Sequence, residues 1–221
     1  MASLGKSGFL QTTGQIRVWA SSAPIGAECR LLLVRHATAQ GNGRFQGQRN
    51  VPLTDTGRRE LPLLVKKCSK YPVRVIYSSD LRRACETAEA IAQEFGLELK
   101  TRSELREMSF GTWEGLSWKQ VTSCFPDAAR LWLERFPRHT IPGAESFSSF
   151  KRRVAQAVRE IVRANPGRCV VIVSHAGVIR VALARALGLP DRNLFRLEQS
   201  PCAVNVIDAF NDGAVVRLVN G

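Results

Sequence analysis

The sequence is short of several things, and each shortage narrows what the chain is. It has no run of about 18 apolar residues, so nothing in it reads as a membrane-spanning helix. The six cysteines, Cys29, Cys68, Cys85, Cys124, Cys169 and Cys202, form no C-x-x-C pair. Scattered over 221 residues, they read as buried thiols of a reducing compartment, not as a disulfide frame. The three histidines do not cluster with them, so no metal set is suggested. Acidic residues are scarce as well: 19 Asp and Glu stand against 32 Lys and Arg, a net charge of +13. Yet no block of five or six like charges occurs, and no aromatics interleave with basic residues as a base-stacking platform requires. The charge therefore reads first as attraction for a small anionic substrate. Nucleic acid ranks well below it, and a basic surface without specific meaning is the third reading.

The shortage of acid is complete in residues 1–27, where Glu28 is the first carboxylate and serine and threonine are frequent. That composition also belongs to organelle transit peptides, but the Arg-rich helix of a mitochondrial signal is missing. A flexible extension on a cytoplasmic enzyme is the favoured reading, with an organelle address as the minority one. On that reading the segment is removable without loss of fold or activity.

Beyond it, apolar periodicity alternates between two kinds. Short apolar runs at 30–35, 73–79 and 169–175 read as strands buried on both faces, and a short strand is expected near 97–101. Helical spacing runs from Asp55 to about Ser69, where Pro62 should kink it, and from Asp80 to Phe95, stopped by Gly96. It recurs from a Ser146 cap to Ala164 and from Gly177 to Leu187. Residues 102–145 look irregular, with short helices. NDG at 211–213 between two apolar runs signals a closing hairpin. The expectation is an α/β fold: a three-layer α/β/α sandwich around a mainly parallel central sheet with an antiparallel edge strand. Residues 28–221 form one domain, with a lid region at about 105–146.

In such a sheet, ligands gather at the carboxyl ends of the strands. The run LLLV ends there in Arg35-His36, and VVIVS ends in His175. One histidine after an apolar run is commonly structural. Two of only three in the chain, both at strand ends, are a stronger sign. Arg83, in the first turn of a helix after the second strand, adds a third polar group at that edge. Arginines and imidazoles together suit a phosphate.

VRHATAQGN resembles the R-H-G motif of the histidine phosphatase superfamily, which includes the cofactor-dependent phosphoglycerate mutases. FQGQRNVPLTDTG, YSSDLRRACETA, LREMSFGTWEG, IPGAESF and VSHAGVIR resemble its further segments, in family order, over about residues 30–210. The resemblance implies His36 as the phosphoryl-accepting nucleophile, and His175 as a donor to phosphoryl oxygens. Glu107 is implied as the acid that protonates the leaving oxygen and then activates water. Arg35, Asn42, Gln46 and Arg83 are implied as substrate-binding residues, with no metal or cofactor. Glu107 must then hold a proton part of the time near neutral pH. Three departures stand out. Ala37 replaces a glycine, Ala39 replaces a family hydroxyl for which Thr38 is the nearest substitute, and Ala176 precedes Gly177 where two glycines are usual. His139 matches no catalytic position and reads as a lid or surface residue.

FGTWEG and PGAES are similar to the small phosphatase branch, such as α-ribazole phosphatase. The expected function is hydrolysis of a small phosphorylated metabolite by a monomer or homodimer, without nucleic acid or membrane. A mutase-type phosphoryl transfer and a non-catalytic phospho-ligand module are the alternatives.

Overall fold

The computed structural model describes residues 28–221, and the expectations for residues 1–27 lie outside them. Six strands form one sheet in the order β3-β2-β4-β1-β5-β6. They are β1 (Cys29–Arg35), β2 (Val73–Ser78), β3 (Leu99–Thr101), β4 (Arg168–Ser174), β5 (Val204–Phe210) and β6 (Gly213–Leu218). The pairs β1–β4, β2–β4 and β2–β3 are parallel, while β1–β5 and β5–β6 are antiparallel. The closing hairpin is where NDG placed it, with Phe210 opposite Gly213. It contributes two antiparallel strands, and its first strand lies directly against central β1.

Alternation along the strands builds two cores. Leu31, Leu33, Val170 and Ile172 face one side, where α5 (Phe147–Ala164) and α6 (Ala176–Ala186) pack. Leu32, Val34, Val171 and Val173 face the other, against α1 (Asp55–Cys68) and α2 (Arg82–Phe95). Strands apolar on both faces thus give the expected three layers.

The local signals behave as their chemistry dictates. Ser146 Oγ accepts the Ser149 N–H at 3.2 Å and caps α5. Gly96 ends α2 at φ 60°, in the left-handed region that a side chain disfavours. Three details differ from expectation. Pro62 leaves α1 a single element, because it sits on the exposed face, where water serves the carbonyl that its missing N–H would have served. Helix α2 begins at Arg82 instead of Asp80, since the N–H of its Leu81 cap bonds back to Ser79 Oγ. Among the cysteines, Cys29, Cys68, Cys169 and Cys202 are buried free thiols, but Cys124 is exposed at the end of α3 (Trp118–Cys124).

The segment between β3 and α5, expected to be a lid, has its own small core. Helices α3 and α4 (Pro126–Arg135) pack Val121 and Ala129 with Trp113 and Ile141. The loop after β1 is fastened to it: Phe45 meets Trp113 at 5.5 Å and Phe110 at 5.0 Å between ring centres. No helix among the described residues is long and apolar enough to cross a membrane.

One buried ionic cluster crosses the hairpin side of the sheet. Arg30 donates to Asp208 through Nε at 2.6 Å and Nη2 at 2.9 Å, and Arg217 donates to the same carboxylate at 2.9 Å. Asp208 is fully buried, so its removal leaves Arg30 charged and unpaired beneath the surface. Asp208→Ala is expected to lower the unfolding free energy by about 3–5 kcal/mol in urea titration. A loss under about 1 kcal/mol would mean the cluster is solvated enough to be dispensable.

Candidate active site

The parallel pairing of β1 and β4 sets Arg35 opposite Ser174, so the residues that follow each strand emerge side by side. The His36 N–H donates to the Ser174 carbonyl at 2.9 Å. The two imidazole rings stand 5.1 Å apart, edge to face. Arg35, His36, Asn42, Gln46, Arg83 and Glu107 line one cavity of about 310 Å³. His175 is buried behind them, while its neighbour Ala176 reaches the cavity wall. His139 lies elsewhere, in the segment after α4.

His36 exists in one form. Its Nδ1 faces the Ala37 carbonyl at 2.7 Å, and a carbonyl only accepts, so Nδ1 carries the proton. Nε2 is then bare, and it accepts the Arg83 Nε–H at 3.2 Å. Burial, followed by the charges of Arg83 and Arg35, pulls the His36 pKa down from 6.5 to about 3. The ring is therefore a neutral imidazole with its lone pair on Nε2.

Neither arginine has a carboxylate bonded to it. Arg83, 1% exposed, donates to the Arg49 carbonyl at 2.7 Å and the Gly47 carbonyl at 2.9 Å. Burial lowers its pKa to about 10. Arg35 donates one Nη to the Gln199 carbonyl at 2.5 Å, and its buried Nε has no partner among the described residues. Gln199 is itself fixed by reciprocal amide bonds to buried Asn205 at 2.7 and 2.9 Å. Such a fork, braced from behind, keeps N–H groups for an anion.

Glu107 is held at both oxygens by backbone: Met108 N–H at 2.8 Å on one, Gly177 N–H at 3.0 Å on the other. Glycine at 177 leaves the Glu107 carboxylate in place, because a Cβ there would collide with it and push it aside. Position 176 carries no such demand, which explains why Ala176 is tolerated. Arg153 of α5 stitches the approach to Glu107. It donates to the carbonyls of Glu104 at 2.8 Å and Arg106 at 2.9 Å, and pairs with Glu145 at 2.7 Å.

Not every expected ligand is free to serve as one. Gln46 directs its amide N–H groups at the Gln40 and Gly41 carbonyls and braces its own loop. Thr38 donates its hydroxyl to Glu60 at 2.7 Å. Having only one proton, it cannot replace the missing hydroxyl at position 39 as a phosphate donor while that bond stands. Sequence reasoning missed Arg153, Gln199 and Asn205, because an arginine inside a helix and amides near a strand look like ordinary solvated groups.

A family model, the histidine phosphatase superfamily (branch 1), matches residues 31–221. The chain belongs to that superfamily. The histidine phosphatases it resembles include phosphoserine phosphatase 1 of Hydrogenobacter thermophilus, 33% identical over 162 residues, 72% of this chain and 77% of that one. Glucosyl-3-phosphoglycerate phosphatase of Mycolicibacterium vanbaalenii is 34% identical over 175 residues, 74% and 76% of the two chains. Among solved structures, α-ribazole phosphatase of Shigella flexneri superposes with a TM-score of 0.79 at 26% identity, covering 87% of this chain and 96% of that one. As a histidine phosphatase, this protein is a hydrolase of phosphate monoesters.

Two tests follow from the geometry. Gly177→Ala replaces a poor helix former inside α6, so stability should hold or rise, whereas the displaced Glu107 should reduce turnover at least tenfold. Unchanged activity would show that Glu107 tolerates movement. The second test concerns pH. The unfolded His36 titrates near 6.5 and the folded one near 3. Between those values the unfolded chain binds the extra proton, so stability rises with pH and is lost as pH falls below 6.5. From there down to pH 5.0, His36 should remove about 2 kcal/mol. Denaturant titrations of wild type and His36→Asn at pH 7.5 and 5.0 should differ in their pH dependence by that amount. Parallel profiles would place the folded His36 pKa near its ordinary value.

Proposed function

We propose that the protein hydrolyses a small phosphorylated metabolite through a phosphohistidine on His36, with Glu107 as acid and then base. The observation that carries this reading is the single, neutral form of His36, with bare Nε2 beside two guanidinium groups that have no carboxylate bonded to them. In the first half-reaction the Nε2 lone pair attacks phosphorus in line. The phosphorus–oxygen ester bond breaks, its electron pair goes to the leaving oxygen, and the Glu107 carboxyl proton follows. The imidazole becomes cationic, and the Ala37 carbonyl on Nδ1 stabilises it. In the second, water attacks phosphorus, Glu107 takes its proton, and the nitrogen–phosphorus bond breaks to release phosphate. Arg35 and Arg83 stabilise the charge on the equatorial oxygens throughout.

Hydrolysis is favoured over mutase-type transfer by the openness of the site. Asn42, Gly43 and Arg44 on the cavity wall are exposed, so water reaches the phosphoenzyme. The size of the cavity, about 310 Å³, suits a phosphate with a small organic group. Phosphoserine and glucosyl-3-phosphoglycerate, after which the relatives are named, belong to that class.

The test combines trapping with leaving-group dependence. Acid-quenched wild type incubated with a radioactive phosphomonoester should carry label on histidine, and His36→Ala should carry none and lose turnover. Glu107→Gln should slow alkyl phosphates by about 10²–10⁴-fold but p-nitrophenyl phosphate far less. Isomerisation of 3-phosphoglycerate with its bisphosphate primer, without phosphate release, would overturn hydrolysis in favour of a mutase. Equal losses on both substrate types would remove Glu107 from the role of acid.

A further inference from the structure

Ser79, at the end of β2, is fully buried, and no step described above uses it. Its backbone is locked: the N–H donates to the Val173 carbonyl at 3.0 Å, and its own carbonyl accepts from Ser78 Oγ at 2.8 Å and Cys85 Sγ at 3.3 Å. Its hydroxyl has two neighbours, the Leu81 N–H at 3.3 Å and His175 Nε2 at 2.9 Å. The Leu81 N–H is a donor only, so it occupies a lone pair of Oγ. Among the described residues, the hydroxyl proton then has one acceptor within hydrogen-bond distance, His175 Nε2.

We infer that Ser79 is a positioning residue: it fixes His175 as the Nδ1–H tautomer, so that this N–H donates to a phosphoryl oxygen during transfer. The alternative tautomer is poor. With the proton on Nε2, the Ser79 hydroxyl would be a buried donor without an acceptor, and Nδ1 a buried acceptor without a donor. With the proton on Nδ1, one group is left over, the Nδ1–H itself. That atom is buried and has no partner among the described residues, in a ring 5.1 Å from the nucleophile. An unpaired buried N–H beside a phosphoryl-accepting nitrogen is suited to an anionic oxygen. Burial, followed by the nearby charges of Arg83 and Arg35, keeps His175 neutral, so the choice lies between two tautomers and not with the doubly protonated ring. The same reasoning extends to the start of α2: one hydroxyl links the Leu81 N–H, at the cap of the helix that carries Arg83, to the second histidine.

This inference rests on the phosphatase reading, and the experiment separates the two. In ¹⁵N-labelled wild-type protein, the side-chain nitrogen shifts of His175 should show Nδ1 protonated and Nε2 bare. In Ser79→Ala the hydroxyl is gone, and the Nε2–H form should appear. The same variant should bind orthovanadate more weakly and lose kcat/KM, each by about tenfold or more, as expected when an oriented donor to an anion is no longer fixed. His175 found with Nε2 protonated in the wild type overturns the inference, whatever the activity. So does Ser79→Ala with an unchanged tautomer and unchanged vanadate affinity. A wild type that binds vanadate through Nδ1–H, loses it in Ser79→Ala, and yet hydrolyses no phosphomonoester would leave the inference standing and overturn the function.

Discussion

Two guanidinium groups, Arg35 and Arg83, are enclosed by the protein and paired to carbonyl oxygens instead of carboxylates. Everything around them adjusts to that charge. Burial, reinforced by that field, lowers the His36 pKa to about 3, so the imidazole is neutral near pH 7 and keeps its lone pair. The field that suppresses protonation of the nucleophile also draws a phosphate dianion toward it. A carboxylate bonded to either arginine would satisfy it more cheaply and would raise the His36 pKa, costing the site both properties. Glu107, whose charge both arginines feel, is instead held by the N–H groups of Met108 and Gly177.

Holding uncompensated charge inside requires rigid supports, and the sheet supplies them. His36 follows β1, its neighbour His175 follows β4, and the parallel register fixes their spacing at the backbone level. Arg35 is braced by Gln199 and Asn205 from the antiparallel side of the same strand. Thr87 of α2 accepts the Ala37 N–H at 3.1 Å while donating to the Arg83 carbonyl at 2.7 Å, tying the nucleophile's strand end to the helix that carries Arg83. The loop after β1 is pinned by Phe45 to the aromatic core around Trp113, so one wall of the cavity is fastened to that core and the other to the sheet.

The parts of this that were legible in the sequence are those written in periodicity and in unusual residue placement. Apolar runs ending in Arg35-His36 and His175, the one-sided spacing of α2 and α5, Gly96 and the NDG turn each carry a local physical meaning that survives folding. The parts that were not legible depend on contacts between distant segments. Arg153 lies in KRRV, where nothing distinguishes it from its solvated neighbours, yet it holds two carbonyls nearly fifty residues earlier. Ser79 follows another serine equally buried, and only its contact with His175 Nε2 separates the two. Pro62 suggests a kink because its missing N–H is visible in sequence, while the exposed face that makes it harmless is not.

The exchange of a hydroxyl for Ala39 shows how a departure from a family pattern is absorbed. Ala39 is buried and forms an antiparallel bridge with Leu53, closing the loop after β1 on itself. Thr54, the next residue, caps α1 and donates its N–H to the Thr38 carbonyl at 3.0 Å. Thr38 in turn is clamped by Glu60 through both its N–H and its hydroxyl. The loop that would carry a hydroxyl toward the phosphate is thus anchored by α1 on its far side. On the proposed reading, phosphate recognition then falls on nitrogen donors, those of Arg35, Arg83 and His175. Nitrogen donors of that kind hold their protons in fixed directions, whereas a hydroxyl must first choose one. A site built on them discriminates by geometry at the phosphorus and leaves the organic group to the open wall of Asn42, Arg44, Phe45 and Phe110.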